Sequence, residues 1–236
     1  MLNMKYAIIS DIHSNLEALQ KALGIIDEKK VDEIICLGDI VGYGANPNEC
    51  TELVKERCPI VVLGNHDAAA LDTTIADEFN AVARKAAVWT ANTLKQENHD
   101  FLSSLPYIHQ KESLLFVHSS PHTPEEWEYI INSDDAIDAF RFFTEKICFI
   151  GHTHVPGIYS QRGRAKMINS DEQFIINVGS IGQPRDGNPM LAFGIFDASM
   201  WSYELIRSEY DIQQASEKIF AAGLPEELAY RLMYGM

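Results

Sequence analysis

The sequence predicts an α/β fold in which two sheets pack against each other with helices outside. Short apolar runs alternate with helix-like segments through the first two-thirds of the chain. After Pro156 the pattern changes to strands separated by Pro- and Gly-marked turns, and from Asp211 onward it becomes helical again. Alternation of strands and helices at the front followed by hairpin-like strands is what two stacked sheets with outer helices require.

The elements can be justified in order. Tyr6 to Ser10, Glu33 to Leu37, Ile60 to Leu63, Leu114 to Val117 and Lys146 to Ile150 read as buried strands. Each is short, rich in β-branched or aromatic residues, and stops at Gly, Ser or His. Between the first two, Leu16, Leu19, Leu23 and Ile26 recur at three- and four-residue steps, the mark of an amphipathic helix, and Ser14 with Glu17 has the spacing of a capping box at its start. Asn46 followed by Pro47 reads as a second helix entry. Asp77 to Leu94 reads as one longer helix, with Phe79, Val82, Ala86, Trp89 and Thr93 on one face. Phe174 to Val178, Leu191 to Asp197 and Trp201 to Ile206 are strand-like, and Gly223-Leu224-Pro225 breaks the C-terminal helical stretch. No repeat, low-complexity stretch or linker divides residues 1–236, so a single domain is expected.

Composition narrows the function. Hydrophobic residues at 46% and charged residues at 22% are ordinary for a globular chain. Lys and Arg number 19 against 34 Asp and Glu, a net charge of −15, so counterion-driven binding of long nucleic acids is not expected. A small phosphate-containing substrate remains compatible with that surface if bound metal ions supply local positive charge. Cys36, Cys50, Cys58 and Cys148 form no C-x-x-C pair, and no stretch approaches a signal h-region or a membrane span. A reducing, cytoplasmic setting without a membrane partner is the expectation; oligomeric state is not legible.

Metal-capable residues fall at the ends of the first five strand-like runs. Asp11 and His13 follow the first, Asp39 the second, and Asn65, His66 and Asp67 the third; His118 follows the fourth, and His152 and His154 the fifth. Singly, a strand-end Asp is a cap or turn former and a lone His a surface or core residue. Together they form a set of imidazoles and carboxylates suited to borderline first-row metals. A carboxylate with two free oxygens can bridge two ions, and Asp39 lies in the middle of the set. Two ions about 3.5–4 Å apart activate a shared water and neutralise a phosphoryl group during in-line attack. A His beside a carboxylate, as in His66-Asp67, can protonate a departing alkoxide.

Asp11-Ile-His13, Gly38-Asp39, Gly64-Asn65-His66-Asp67, His118 and Gly151-His152-Thr153-His154 resemble, in order, the five motifs of the calcineurin-like metallophosphoesterases. Longer stretches, from Ser10 to Leu19, Gly38 to Gly44 and Asn177 to Arg185, are similar to a compact bacterial branch that includes phosphodiesterases and diadenosine tetraphosphate hydrolases. The resemblance implies a four-layer αββα sandwich, two central mixed sheets flanked by helices. It implies two divalent metal ions, Mn or Fe first and Zn or Ni behind them. One would be held by Asp11, His13, Asp39 and His154, the other by Asp39, Asn65, His118 and His152, with His66 at the leaving group and Asp67 orienting it.

The expected activity is therefore hydrolysis of phosphodiester or phosphoanhydride bonds in small nucleotide-like substrates by a metal-bridged hydroxide. A phosphomonoesterase or protein phosphatase is the alternative within enzymes. A catalytically silent metal-binding scaffold is the alternative outside them, and the intact His66-Asp67 pair argues against it. Three further residues are substrate candidates. Asn15 opens the first helix and would either reach substrate or cap the helix; His122 follows the His118 motif; Arg185, in a Pro-Arg-Asp-Gly turn, can clamp a phosphate bidentately. Tyr43, Trp127 and Tyr129 are candidates for pocket walls or for plain loop packing.

Overall fold

The computed structural model describes residues 4–236. The first sheet has the order β11-β10-β1-β2-β3. It is built from β1 (Lys5–Ile9), β2 (Glu33–Cys36), β3 (Ile60–Val61), β10 (Leu191–Asp197) and β11 (Ser202–Ser208). Strands β1, β2 and β3 run parallel, and β10 and β11 extend the sheet antiparallel. The second sheet has the order β4-β5-β6-β9-β7-β8. Its strands are β4 (Ile108–Lys111), β5 (Leu114–Val117), β6 (Ile147–Ile150), β7 (Gly157–Ser160), β8 (Gly163–Ala165) and β9 (Phe174–Asn177). Strands β5, β6 and β9 are parallel and the others antiparallel, so both sheets are mixed.

Strand periodicity sorts the core into layers. Tyr6, Ile8, Ile35, Leu37, Phe116, Phe149, Phe174, Ile176 and Phe196 fill the space between the sheets. The alternate residues Ala7, Ile9, Ile34 and Cys36 face α1 (Leu16–Lys29) and α2 (Pro47–Arg57) through Leu19, Leu23, Ile26 and Val54. On the other side Leu115, Val117, Cys148, Ile150 and Ile175 pack under α6 (Ser133–Ala139) and the turn that follows it. The expected four-layer αββα sandwich is therefore the observed architecture. The remaining helices are α3 (Asn65–Leu71), α4 (Ala81–Thr93), α5 (Gln96–Ser103), α7 (Ile212–Ala221) and α8 (Glu226–Tyr234). The last two pack on α4 and on Tyr43 through Ala215, Ile219, Leu228 and Leu232.

Three local readings differ from the structure. The helix expected over 77–94 begins at Ala81. A 3-10 turn over Ile75–Glu78 precedes it, and the Asn80 side chain accepts hydrogen bonds from the Val82 and Ala83 amides, making Asn80 the cap. The first helix is capped by Asn15, whose side chain accepts from the Ala18 amide, not by a Ser14–Glu17 box: Ser14 takes φ +54° and its hydroxyl is buried without a hydrogen-bond partner. Strands β4, β7 and β8 carry no apolar run; β4 lies at a sheet edge, with alternate residues exposed.

Candidate metal centre

The parallel strands of both sheets end on the same side, and the loops leaving them converge there. Asp11 and His13 leave β1, Asp39 leaves β2, Asn65 and His66 open α3 after β3, His118 leaves β5, and His152 and His154 leave β6. None of the seven residues considered as ligands is more than 6% exposed. Ligand-capable atoms of Asp11, His13, Asp39 and His154 all lie within 4.8 Å of one another, and so do those of Asp39, His118 and His152. Asn65 Oδ1 is 3.2 Å from His118 Nε2, and Asp39 Oδ2 is 3.3 Å from the same nitrogen. The two groups share Asp39.

The backbone aims the imidazoles. His13 Nδ1 lies 3.1 Å from the Val41 carbonyl, His118 Nδ1 2.8 Å from the Leu37 carbonyl, and His154 Nδ1 2.5 Å from the Gln183 carbonyl. Each Nδ1–H therefore donates outward and each Nε2 lone pair faces the cluster, the tautomer a metal ligand needs. His152 is turned the other way, with Nε2 3.0 Å from the Trp127 carbonyl, which leaves Nδ1 for ligation. Tyr129 stacks on the same ring at 3.9 Å.

Local backbone geometry is unusual at the same place. Asp11, His13, Asp39, His152 and His154 all have φ between 50° and 66°. Left-handed conformation costs a non-glycine residue on the order of 1–3 kcal/mol and persists only where the surroundings impose it. Two glycines let the loops approach this closely. A Cβ on Gly64 would strike the amide and carboxylate of Asp39, and one on Gly151 would strike Ser10 Oγ and Asp11 Oδ2.

The donor set fits divalent cations. His13 Nε2 and His154 Nε2 stand 3.0 Å apart. With both Nδ1 positions donating to carbonyls, the facing lone pairs repel unless a cation lies between them. Asp11 Oδ1 is buried without a hydrogen-bond donor, and Asp11 and Asp39 sit together among imidazoles. Burial would raise the Asp39 carboxyl, but His118 and His66 overrule it and hold it well below the usual range. Burial would likewise lower His118, but the Asp39 and Asp11 carboxylates raise it to about 9. His152 is pushed down to about 3 by burial, with His118 adding to the effect. The carboxylates draw positive charge to the centre of the cluster, where the Nε2 atoms of His13, His118 and His154 converge.

His66 sits beside the cluster, its amide donating to Asp39 Oδ1 at 2.8 Å. Its ring is walled by Tyr43 at 4.3 Å, Phe79 at 4.7 Å and His13 at 4.9 Å, and Nδ1 has no partner. Burial lowers its pKa to about 4 against the pull of Asp39. Asp67 does not orient this ring, which corrects the role expected of it. Its carboxylate accepts from the Val41 and Gly64 amides at 3.0 and 3.1 Å, so it ties the Asp39 loop to the first turn of α3. Asp67 is the third helical residue reaching back to the cap, a signal readable in Gly64-Asn-His-Asp67.

The substrate candidates separate. Asn15 has both amide atoms engaged, Oδ1 by the Ala18 amide and Nδ2 on the Gly182 carbonyl and the Tyr210 hydroxyl, so it caps α1. His122 is paired with Glu128 at 3.2 Å and lies with Phe142 in a hollow on the far side of Tyr129 from His66. Arg185 lines the same cleft as Asn65 and His66, a space of about 550 Å³, with its guanidinium 5.6 Å from the Tyr43 ring centre. Sequence reading missed Phe79 and Arg231, which also line that cleft. A basic residue in the last turn of a helix reads first as a partner for the helix dipole, which hides Arg231.

A buried strand-end cluster of this composition on a four-layer sandwich defines a metal-dependent hydrolase site. The calcineurin-like phosphoesterase superfamily domain matches residues 4–200, and the chain belongs to that superfamily as a metal-dependent phosphoric ester hydrolase. An uncharacterised protein of Methanocaldococcus jannaschii is 42% identical, with both chains covered completely. The crystal structure of a metallophosphoesterase from Sphaerobacter thermophilus superposes with a TM-score of 0.90 at 41% identity, each chain covered completely. A phosphodiesterase of Escherichia coli, YfcE, is 24% identical over 90% of this chain and 98% of its own length.

Proposed function

We propose that the protein hydrolyses phosphodiester or phosphoanhydride bonds of small nucleotide-like substrates at a dinuclear centre. The observation that carries this reading is the pair of donor groups sharing Asp39 with the His66 ring beside them. Asp11, His13, Asp39 and His154 would hold one divalent cation, and Asp39, Asn65, His118 and His152 the other. Imidazole with carboxylate suits Mn or Fe and also accepts Zn or Ni. Such ions supply charge for the phosphoryl oxygens and lower the pKa of a shared water.

The residues of the chain do the rest. Tyr43 and Phe79 hold the His66 imidazole at the edge of the cluster, and a phosphate oxygen brought beside it favours its protonated form, ready to donate to the leaving oxygen. Arg185 lines the same cleft from the loop whose Gln183 carbonyl orients His154, its guanidinium held on Gln183 Oε1. The cleft of about 550 Å³ suits a ligand of mononucleotide size. The name of the E. coli relative, a phosphodiesterase, favours diesters. Among the described residues no helix is long and apolar enough to cross a membrane. The four thiols are buried and unpaired, which fits a reducing compartment such as the cytoplasm.

The test is turnover of bis-p-nitrophenyl phosphate against p-nitrophenyl phosphate by protein reloaded with Mn²⁺ after chelation. The reading expects faster diester cleavage that disappears with chelator. Cleavage of the monoester alone would replace it with a phosphomonoesterase.

A further inference from the structure

The cleft beside His66 carries two guanidinium groups from different parts of the chain. Arg185 comes from the loop after β9 and Arg231 from the last turn of α8. Those segments are joined: the Gly187 amide donates to the Gly235 carbonyl at 2.9 Å, and Gly235 caps α8 directly against Asn188. Both side chains are half-buried, and among the described residues neither pairs with a carboxylate. Basic side chains elsewhere pair readily in this acidic chain, Lys29 with Glu204, Arg57 with Asp27, Lys111 with Glu33 and Arg207 with Asp186. Glu78 and the terminal residue Met236 also line the cleft, and among the described residues neither forms an ion pair with either arginine.

We infer that Arg185 and Arg231 form a second anion subsite that selects substrates bearing a further phosphate group beyond the scissile phosphorus. The inference rests on the proposed phosphoesterase reading and names its substrate class. A net charge of −15 repels a polyanionic ligand, and the metal centre would offset only the phosphate it engages. A second phosphate needs its own cations, and forked guanidinium groups match its oxygens. The Arg185 guanidinium lies 5.6 Å from the Tyr43 ring centre, and Tyr43 lines the cleft together with both arginines. A helix-dipole role alone would leave Arg231 turned to solvent or free to find a carboxylate; it is half-buried instead, lining the cleft that His66 also lines.

The experiment is calorimetric titration of Mn²⁺-loaded protein with methylphosphonate and with straight-chain alkane α,ω-bisphosphonates of three to five carbons, whose C–P bonds resist hydrolysis. At least one bisphosphonate should bind about tenfold tighter or more than methylphosphonate, since a factor of ten is only about 1.4 kcal/mol and charge-assisted hydrogen bonds supply that much. The preference should fall towards the statistical factor of about two in Arg185→Gln and in Arg231→Gln, and return in part in Arg231→Lys. It should also weaken with added salt. No preference in the wild type, or a preference that survives both Gln variants, would overturn the subsite. Because binding is read without turnover, the outcomes separate. An arginine-dependent preference in a protein that cleaves neither nitrophenyl ester keeps the subsite and removes the hydrolytic reading, and a diesterase without the preference does the reverse.

Discussion

The strand-end cluster and the cleft wall beside it are held in opposite ways. In the cluster every imidazole is buried and fixed by a backbone carbonyl, and five residues sit in left-handed conformations that the surrounding loops impose. The wall is built from side chains with few partners: Arg185 braced on Gln183, Arg231 on α8, and Tyr129, 52% exposed, stacked on His152. The difference teaches where each property resides. On the proposed reading, chemistry would rest on rigid loops at the ends of buried strands, and selectivity on adaptable groups contributed from distant segments.

The sharpest way to break this comparison is at the residue both donor groups share. Asp39→Ala should lower metal affinity by about 100-fold or more, because loss of even an outer partner costs about 10–100-fold, and turnover should vanish with it. Elemental analysis after dialysis checks this. His66→Ala should do the opposite, keeping its metals while kcat falls about 10²–10⁴-fold, the usual contribution of a positioned acid. Parallel metal content and kcat would show whether His66 acts on the leaving group or merely packs beside Tyr43 and Phe79.

How much of this was legible in the sequence follows from the same division. Asp11, His13, Asp39, His118, His152 and His154 stand directly after apolar runs, so their convergence could be read from strand ends alone. The carbonyls of Val41, Leu37, Gln183 and Trp127 that aim the rings were illegible, since every residue has a carbonyl and only the folded path selects four of them. Asp67 was misread because proximity in sequence to His66 suggested a pair, whereas the first turn of α3 points its carboxylate back to Gly64 and Val41. Arg231 lies 46 residues after Arg185 along the chain, and nothing in local pattern brings α8 to the cleft. Strand β4, Ile-His-Gln-Lys, was invisible because an edge strand with one face in water needs no apolar run.

Two smaller effects sharpen the contrast between the cluster and the rest of the molecule. Removal of metal leaves buried carboxylates and facing imidazole lone pairs uncompensated. At a metal concentration 100 times Kd the bound form is about 2.7 kcal/mol more stable, so chelation should lower Tm by about 5–10 °C in scanning calorimetry. Far from the site, the Tyr203 hydroxyl is buried without a partner while its ring covers Gly194. Tyr203→Phe keeps the ring and removes the orphan group, so stability should be unchanged or raised by about 1 kcal/mol, with metal content and turnover unaltered. Urea unfolding measures it.

The claim that Asp39 joins two metal sites is tested most directly by counting ions. Chelated protein would be titrated with Mn²⁺ and the bound metal determined per chain, for the wild type and for His118→Ala, which removes a donor from one group only. The account predicts two ions in the wild type and one in His118→Ala, the ion retained by Asp11, His13, Asp39 and His154. A single ion in the wild type, or two in the variant, would contradict it.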